Sequence, residues 1–278
     1  MRIIRNEELL YAQKKIDLEI SEISYGFLDS SWNLQNLRAA FTRVYLPLRG
    51  KGFVTIRDRR IELLPDRIYI IPAGLNFSCE CPEMLEKIYI HLNLTHPDGS
   101  DVFSGISSCL VLPNEQERIE RLRSLYDQKD VPSVLRFKLL LYEILLDALS
   151  LQDSEHTEIS EYSKITKDAL TYIDAHLRSS LTIGEIASHL FVSKLLVQQH
   201  FKNDLQKPIG QYIDERLMAK AERELLDESR SIKEISDRLG YCDQFYFSRR
   251  FTQMHDGTGP MLFRQMHRVI PKPKNIEK

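Results

Sequence analysis

The chain has few cysteines and no long apolar run. Its 278 residues include four cysteines, Cys79, Cys81, Cys109 and Cys242. Cys79 and Cys81 form a Cys-x-Cys pair with no second pair nearby, a spacing that suits a structural zinc poorly. No apolar stretch is long enough to span a bilayer. The basic start of the chain is not followed by the apolar core of a signal peptide. A cytoplasmic protein without membrane contact is therefore expected, with its cysteines kept as thiols. Also missing are a Gly-rich phosphate loop, a Ser-His-Asp triad and a motif of paired carboxylates. No cofactor is expected and no catalytic residue stands out.

The net charge is only −2, but it is unevenly spread. Residues 163–278 carry 19 Lys and Arg against 15 Asp and Glu, while the other 162 residues carry 19 against 25. A mildly basic part joined to an acidic remainder suits a protein that meets nucleic acid with one part only. Length, an apolar content of 42% and a charged content of 28% fit two ordinary soluble domains.

Residues 1–113 read as β. Short apolar runs at 41–48, 52–57, 60–64, 67–71 and 87–94 are separated by turn residues at 49–52, Asp58-Arg59, Pro65-Asp66 and 72–74. This spacing predicts a sandwich or a barrel. After Pro113 the period becomes helical. One helix is predicted over 114–127, with Asn114 as N-cap, and a second over 133–151, with Pro132 and Ser133 near its start. In the second, Leu135, Leu139, Leu140, Leu141, Ile144, Leu145, Leu146 and Leu149 cover more than one face. Such a helix should be buried on several sides. Part of that surface can serve a homodimer, or all of it can pack on its own barrel. Residues 152–163 are polar and read as a linker. The division expected is 1–113, 114–162 and 163–278.

A repeat lies in the last part. Ile183, Glu185, Ile186 and Leu190 recur 49 residues later as Ile232, Glu234, Ile235 and Leu239. Ser193, Val197 and Phe201 recur 50 residues later as Asp243, Phe247 and Phe251. Thr182 with Glu185, and Ser231 with Glu234, have the spacing of capping boxes. Each opens a short helix, a turn follows, and Ser193 or Asp243 then caps a second helix. Gly240 supplies the positive φ that a tight turn often needs. The pairs Val197/Phe201 and Phe247/Phe251 put one face of each second helix in a core. Each copy thus reads as a helix-turn-helix.

The opposite face of each second helix must meet solvent. It presents Lys194, Leu195, Leu196, Gln198, Gln199 and Lys202 in the first copy. In the second it presents Gln244, Phe245, Tyr246, Ser248, Arg249 and Arg250. Gln and Arg can bond base edges in pairs, and apolar side chains can meet thymine methyls. For any one residue a solvated surface is an equal explanation; the repetition of the whole capped unit favours DNA. Gln198, Gln199, Gln244, Phe245 and Arg249 are expected to reach bases, and Lys202 and Arg250 phosphates. Between the copies, 209–228 reads as one helix of ~30 Å, close to the ~34 Å turn of B-DNA.

These residues resemble the AraC/XylS family of bacterial transcription regulators over about 164–268. The resemblance rests on Leu181-Thr-Ile-x-Glu-Ile-Ala187, Ser193 through Lys202, Tyr212-Ile-x-x-x-Arg216-Leu and Leu225-Leu226. It continues through Ser231-Ile-x-Glu-Ile235, Leu239-Gly-Tyr241, Asp243-Gln244, Tyr246-Phe-Ser-Arg249, Phe251, Gly-Thr-Gly-Pro260 and Phe263-Arg264. Three places depart from the family pattern. Gln206 replaces a glycine after the first recognition helix, the turn 256–260 is one residue longer, and Gln199 stands where Arg is frequent.

More weakly, Asp66-x5-Pro72-x-Gly74-x2-Phe77-x3-Cys81 resembles the second motif of cupins. In metal-binding cupins the position of Phe77 is a histidine, and the His-x-His of the first motif is missing, since no histidine precedes His91. The resemblance therefore implies an α+β chain. It has a cupin-like barrel or jelly roll without metal, a helical linker or dimerisation segment, and an all-α domain of two helix-turn-helix units joined by a long helix. It implies a regulator that binds double-stranded DNA under control of a small effector such as a sugar. If the output is activation, RNA polymerase is a further partner. The alternative is a cupin-type enzyme with an accessory helical domain, which the missing metal histidines disfavour. In 87–94, period two puts Ile88, Ile90, Leu92 and Leu94 on one face and Tyr89, His91 and Asn93 on the other. The second face is either an effector pocket or the wet outside of the barrel. Trp32, Arg43 and Tyr45 are further effector candidates beside Tyr89 and His91.

Overall fold

The protein is described by a computed structural model covering residues 7–113, 116–152 and 162–267. It divides into two compact units, with the boundary near residue 158.

The first unit begins with α1 (Glu7–Lys15) and continues through nine strands. These are β1 (Leu18–Leu28), β2 (Leu34–Leu37), β3 (Thr42–Gly50), β4 (Phe53–Ile56), β5 (Arg59–Glu62), β6 (Arg67–Ile71), β7 (Phe77–Glu80), β8 (Leu85–Leu94) and β9 (Leu110–Pro113). All paired strands are antiparallel, in one sheet of order β1-β8-β3-β6-β9 and another of order β2-β7-β4-β5. The β4–β5 hairpin turns at Arg57-Asp58, one residue before the expected Asp58-Arg59. Ile56 pairs with Arg59, and Arg57 takes φ 54°.

Strand β8 is buried along its whole length. One face, Ile88, Ile90, Leu92 and Leu94, joins Val44, Leu46, Ile68 and Ile70 in an apolar core. Onto this core packs α3 (Val131–Leu149), through Phe137, Leu140, Leu141, Ile144, Leu145 and Ala148, with Leu122 of α2 (Gln116–Tyr126) beside them. The helix expected at 133–151 therefore starts two residues earlier. Pro132 and Ser133 lie in its first turn, and Asp130 is its N-cap, accepting from Ser133 N at 3.0 Å. The proposed cap Asn114 lies outside the described residues. The far face of α3 leaves Val131, Leu135, Leu139 and Leu146 exposed. These recur at spacings of four and seven, so they form one stripe.

The second unit is all helix: α4 (Lys164–His176), α5 (Ile183–His189), α6 (Lys194–Leu205), α7 (Ile209–Leu226), α8 (Ile232–Arg238), α9 (Gln244–Met254) and α10 (Pro260–Met266). Helix α7 serves two cores. Ile209, Tyr212 and Ile213 pack with Ile186, Val197 and Phe201. Further along, Glu222 accepts from His255 Nε2 at 2.8 Å, and Leu225 O accepts from Arg264 Nε at 3.0 Å. His255 also stacks on Phe251, at 3.7 Å between centroids, and Phe251 meets Phe263 edge-on.

Candidate nucleic-acid interface and barrel interior

Both short helices that precede the recognition helices carry complete capping boxes, Thr182 with Glu185 and Ser231 with Glu234. Hydrogen bonds from the cap residues hold both glutamates below the usual carboxylate range. Ser193 then caps α6 by accepting from Leu196 N at 3.2 Å, and Asp243 caps α9 by accepting from Tyr246 N at 2.7 Å. The apolar pairs Val197/Phe201 and Phe247/Phe251 are wholly buried. That burial fixes which face of each helix looks outward.

On α6 the outward residues are Lys194, Leu195, Gln198, Gln199 and Lys202, and Leu196 is half-buried. The Lys194 side chain lies over Gly184, where a Cβ would come within 2.9 Å of Lys194 Cε. On α9, Phe245 is 78% exposed and Arg249 is exposed. Gln244 and Ser248 are half-buried. Tyr246 is exposed on one side, and its ring lies 5.9 Å from that of Tyr241. Arg250 is held inside the unit, donating to Asp214 Oδ2 of α7 at 2.6 Å and to Gln253 at 3.1 Å. Its guanidinium thus ties α9 to the connector, a role the one-dimensional reading did not contain.

Arg178, in the loop after α4, pairs with Glu185, while Ser179 N donates to Leu239 O at 2.8 Å. The loop that leads into the first helix-turn-helix is thereby bonded to the turn of the second helix-turn-helix. Gln206, the residue in place of glycine, closes α6 in the left-handed region at φ 56°.

In the barrel, the other face of β8 is buried, not wet. Tyr89, His91 and Asn93 are all inside. Register sets Arg43 beside His91 and Tyr45 beside Tyr89. All five effector candidates are therefore buried. Trp32 lies 6.2 Å from Tyr45, and Tyr89 lies 5.7 Å from His91. The Arg43 guanidinium sits over Phe41 at 4.5 Å and over Phe77 at 5.0 Å. Burial raises the Tyr89 hydroxyl to about 12. A cupin-type metal does not fit this interior. The ring of Phe77 occupies the place of a ligand, with a cation above it, and among the described residues no three His, Cys, Asp or Glu converge.

Two residues of this interior were missed. Lys87 has the same parity as Tyr89 and His91, which was the signal available, yet a lysine at a strand start reads as solvated. Asp101 is buried and accepts from Thr42 Oγ1 at 3.0 Å and Asn93 Nδ2 at 2.8 Å. Burial brings its carboxyl up to about 6.

Comparison with known proteins bears on both units. Residues 186–266 match a helix-turn-helix domain family. The regulatory protein SoxS of Escherichia coli K12 is 34% identical over 97 residues, 35% of this chain and 91% of SoxS. The transcriptional activator Btr of Bacillus subtilis is 23% identical over 232 residues, 77% of this chain but 42% of Btr, so the match spans less than half of that relative. In fold, the chain is similar to wild-type ToxT of Vibrio cholerae in its unsaturated fatty acid-bound structure. The TM-score is 0.50 at 10% identity, over 88% of this chain and 95% of ToxT. Among the described residues no helix is long and apolar enough to cross a membrane.

Proposed function

The chain belongs to the AraC/XylS family of DNA-binding transcriptional regulators, and from that premise we propose that it reads double-stranded DNA with α6 and α9 in successive major grooves, under control of a small effector held in the barrel. The carrying observation is the pair of capped helices flanking one continuous helix. Each turns an apolar pair inward and a Gln- or Arg-bearing face outward. The 18 residues of α7 span ~27 Å, the right order for one ~34 Å turn of B-DNA. Gln198, Gln199, Gln244, Phe245 and Arg249 are assigned to bases, Lys194, Leu195 and Tyr246 to the groove walls, and Lys202 to phosphate. Arg250 reaches phosphate only by leaving Asp214.

The effector reading is supported by the five buried polar and aromatic side chains that share one interior, and by a protein of the same fold, ToxT, that has been solved with a fatty acid bound. The protein acts in the cytoplasm as a homodimer through the exposed stripe of α3, and an activating output makes RNA polymerase its further partner. No catalytic step is assigned, since the relatives named above are transcriptional regulators.

Selection of bound DNA from a random pool, followed by footprinting, tests the DNA reading. Two protected blocks about 10 base pairs apart on one face are expected, with at least ~10³-fold preference over scrambled DNA. Equal affinity for scrambled DNA overturns it.

A further inference from the structure

Lys87 is 2% exposed, and its Nζ is surrounded by rings. It lies 3.4 Å from the centroid of Tyr45, 3.8 Å from that of Trp32 and 5.5 Å from that of Tyr89. Ring faces attract an ammonium ion, but they do not replace the water it loses on burial. A buried lysine is ordinarily matched by a carboxylate, and among the described residues none pairs with this one.

The acids nearby are engaged elsewhere. Glu86, the preceding residue, points to the other face and binds Arg49 and Tyr25. Gly26 stands opposite Lys87 on β1, and Glu22, which accepts from Ser24 Oγ, pairs in register with His91. Asp101 is taken by Thr42 and Asn93. From β7 and the residue after it the neighbours are the thiols of Cys79 and Cys81, and from β3 comes a second buried cation, Arg43. Burial brings the Lys87 ammonium down to about 7, and the charge of Arg43 pushes the same way.

We propose that this cluster binds a small organic carboxylate, whose oxygens accept from Lys87 Nζ and whose apolar body lies among Trp32, Tyr45, Tyr89 and Phe77. The inference rests on the effector reading and narrows it from any small molecule to an acid. The anion supplies the missing partner, so the ammonium becomes the stable form when the ligand is bound. Arg43 adds attraction without a direct contact. A neutral analogue of the same shape leaves Lys87 uncompensated and gains only the apolar contact.

The test uses the full chain and matched pairs of probes: benzoate with benzyl alcohol, hexanoate with hexanol, and galacturonate with galactose. Binding is followed by calorimetry and thermal shift. At least one acid is expected to bind at least about tenfold more tightly than its neutral partner, and Lys87→Met to lose that preference. Near pH 8, calorimetry in buffers of different ionisation heat should show uptake of about one proton per acid bound, as Lys87 passes from neutral to charged. This count needs no variant, and it decides the matter should Lys87→Met fail to fold. Binding without proton uptake, equal binding of acid and neutral partner, an unchanged Lys87→Met, or no acid binding each overturns the proposal. A neutral probe that binds alone overturns the carboxylate and leaves the effector reading standing. Footprinting on selected DNA reports separately on the DNA reading.

Discussion

Phe191 and Gly240 occupy the same place in the two helix-turn-helix turns, each directly after the leucine that caps the C-terminus of its first helix, and both have positive φ, 56° and 75°. Glycine reaches this region freely, whereas an L-residue there costs ~1–2 kcal/mol. Phe191 bears that cost while being 95% exposed, so its ring recovers nothing from packing. In the second helix-turn-helix a side chain would also collide, since a Cβ on Gly240 would lie 3.0 Å from Arg178 Cβ.

The two turns should therefore respond in opposite directions. Phe191→Gly should stabilise the helical unit by up to ~1 kcal/mol, the relief being partly offset by the entropy of a new glycine. Gly240→Ala should destabilise by ~1–2 kcal/mol or more. Urea titration of both variants checks this. Loss of stability in Phe191→Gly would mean that the ring has a partner on the folded protein.

For the recognition helices, Gln198→Ala and Arg249→Ala should each cost ~1–3 kcal/mol on the selected site and relax preference at one or two base pairs. Lys202→Ala should weaken all sequences alike and make the salt dependence shallower. Phe251→Ala is the control, losing binding through unfolding, with a stability loss of ~3–5 kcal/mol. Titrations at two salt concentrations against selected and scrambled DNA separate the three classes. Unchanged affinity and preference in both base-reading variants would show that these faces do not read DNA.

The stripe on α3 gives a third expectation. Leu135→Glu with Leu139→Glu puts two charges on an already exposed surface and should leave the fold intact. It should convert dimer to monomer in sedimentation at tens of micromolar. A wild-type chain that is monomeric throughout, with and without DNA, would refute the homodimer.

Lys87 makes the unliganded protein pH-sensitive in a defined direction. Burial brings its ammonium down to about 7 in the fold, from ~10.4 in the unfolded chain, so the folded state holds the proton less well. The resulting penalty is full below about pH 7, fades as pH rises, and is gone above the unfolded value. Lys87→Met removes the penalty and should raise stability at pH 6.5 more than at pH 9.5, as measured by denaturant midpoints. Equal effects at the two pH values would place a carboxylate beside Lys87.

The helical unit was the more legible part of the chain because its signals are local. A cap and its glutamate lie three residues apart, and a core pair lies four apart. The barrel was harder. Strand β1 alternates as Leu18 and Ile20, then changes phase at a bulge between Ile20 and Glu22, so no single period describes it. Strands β2, β7 and β9 have four residues each, too short to show a period. In β8 the alternation was visible, but which face meets water depends on the second sheet. The Arg250–Asp214 pair joins residues 36 apart, and nothing near Arg250 announces it.

Strand β8 answers to two interiors at once, and they fall on alternate positions. Ile88, Ile90, Leu92 and Leu94 hold α3 in place, while Lys87, Tyr89, His91 and Asn93 face the inside of the barrel. A change at an odd-numbered position alters the lining of the barrel without touching the packing beneath α3. On the effector and homodimer readings proposed above, mutation and selection can therefore retune ligand preference among descendants of this chain while the means of self-association is inherited unchanged.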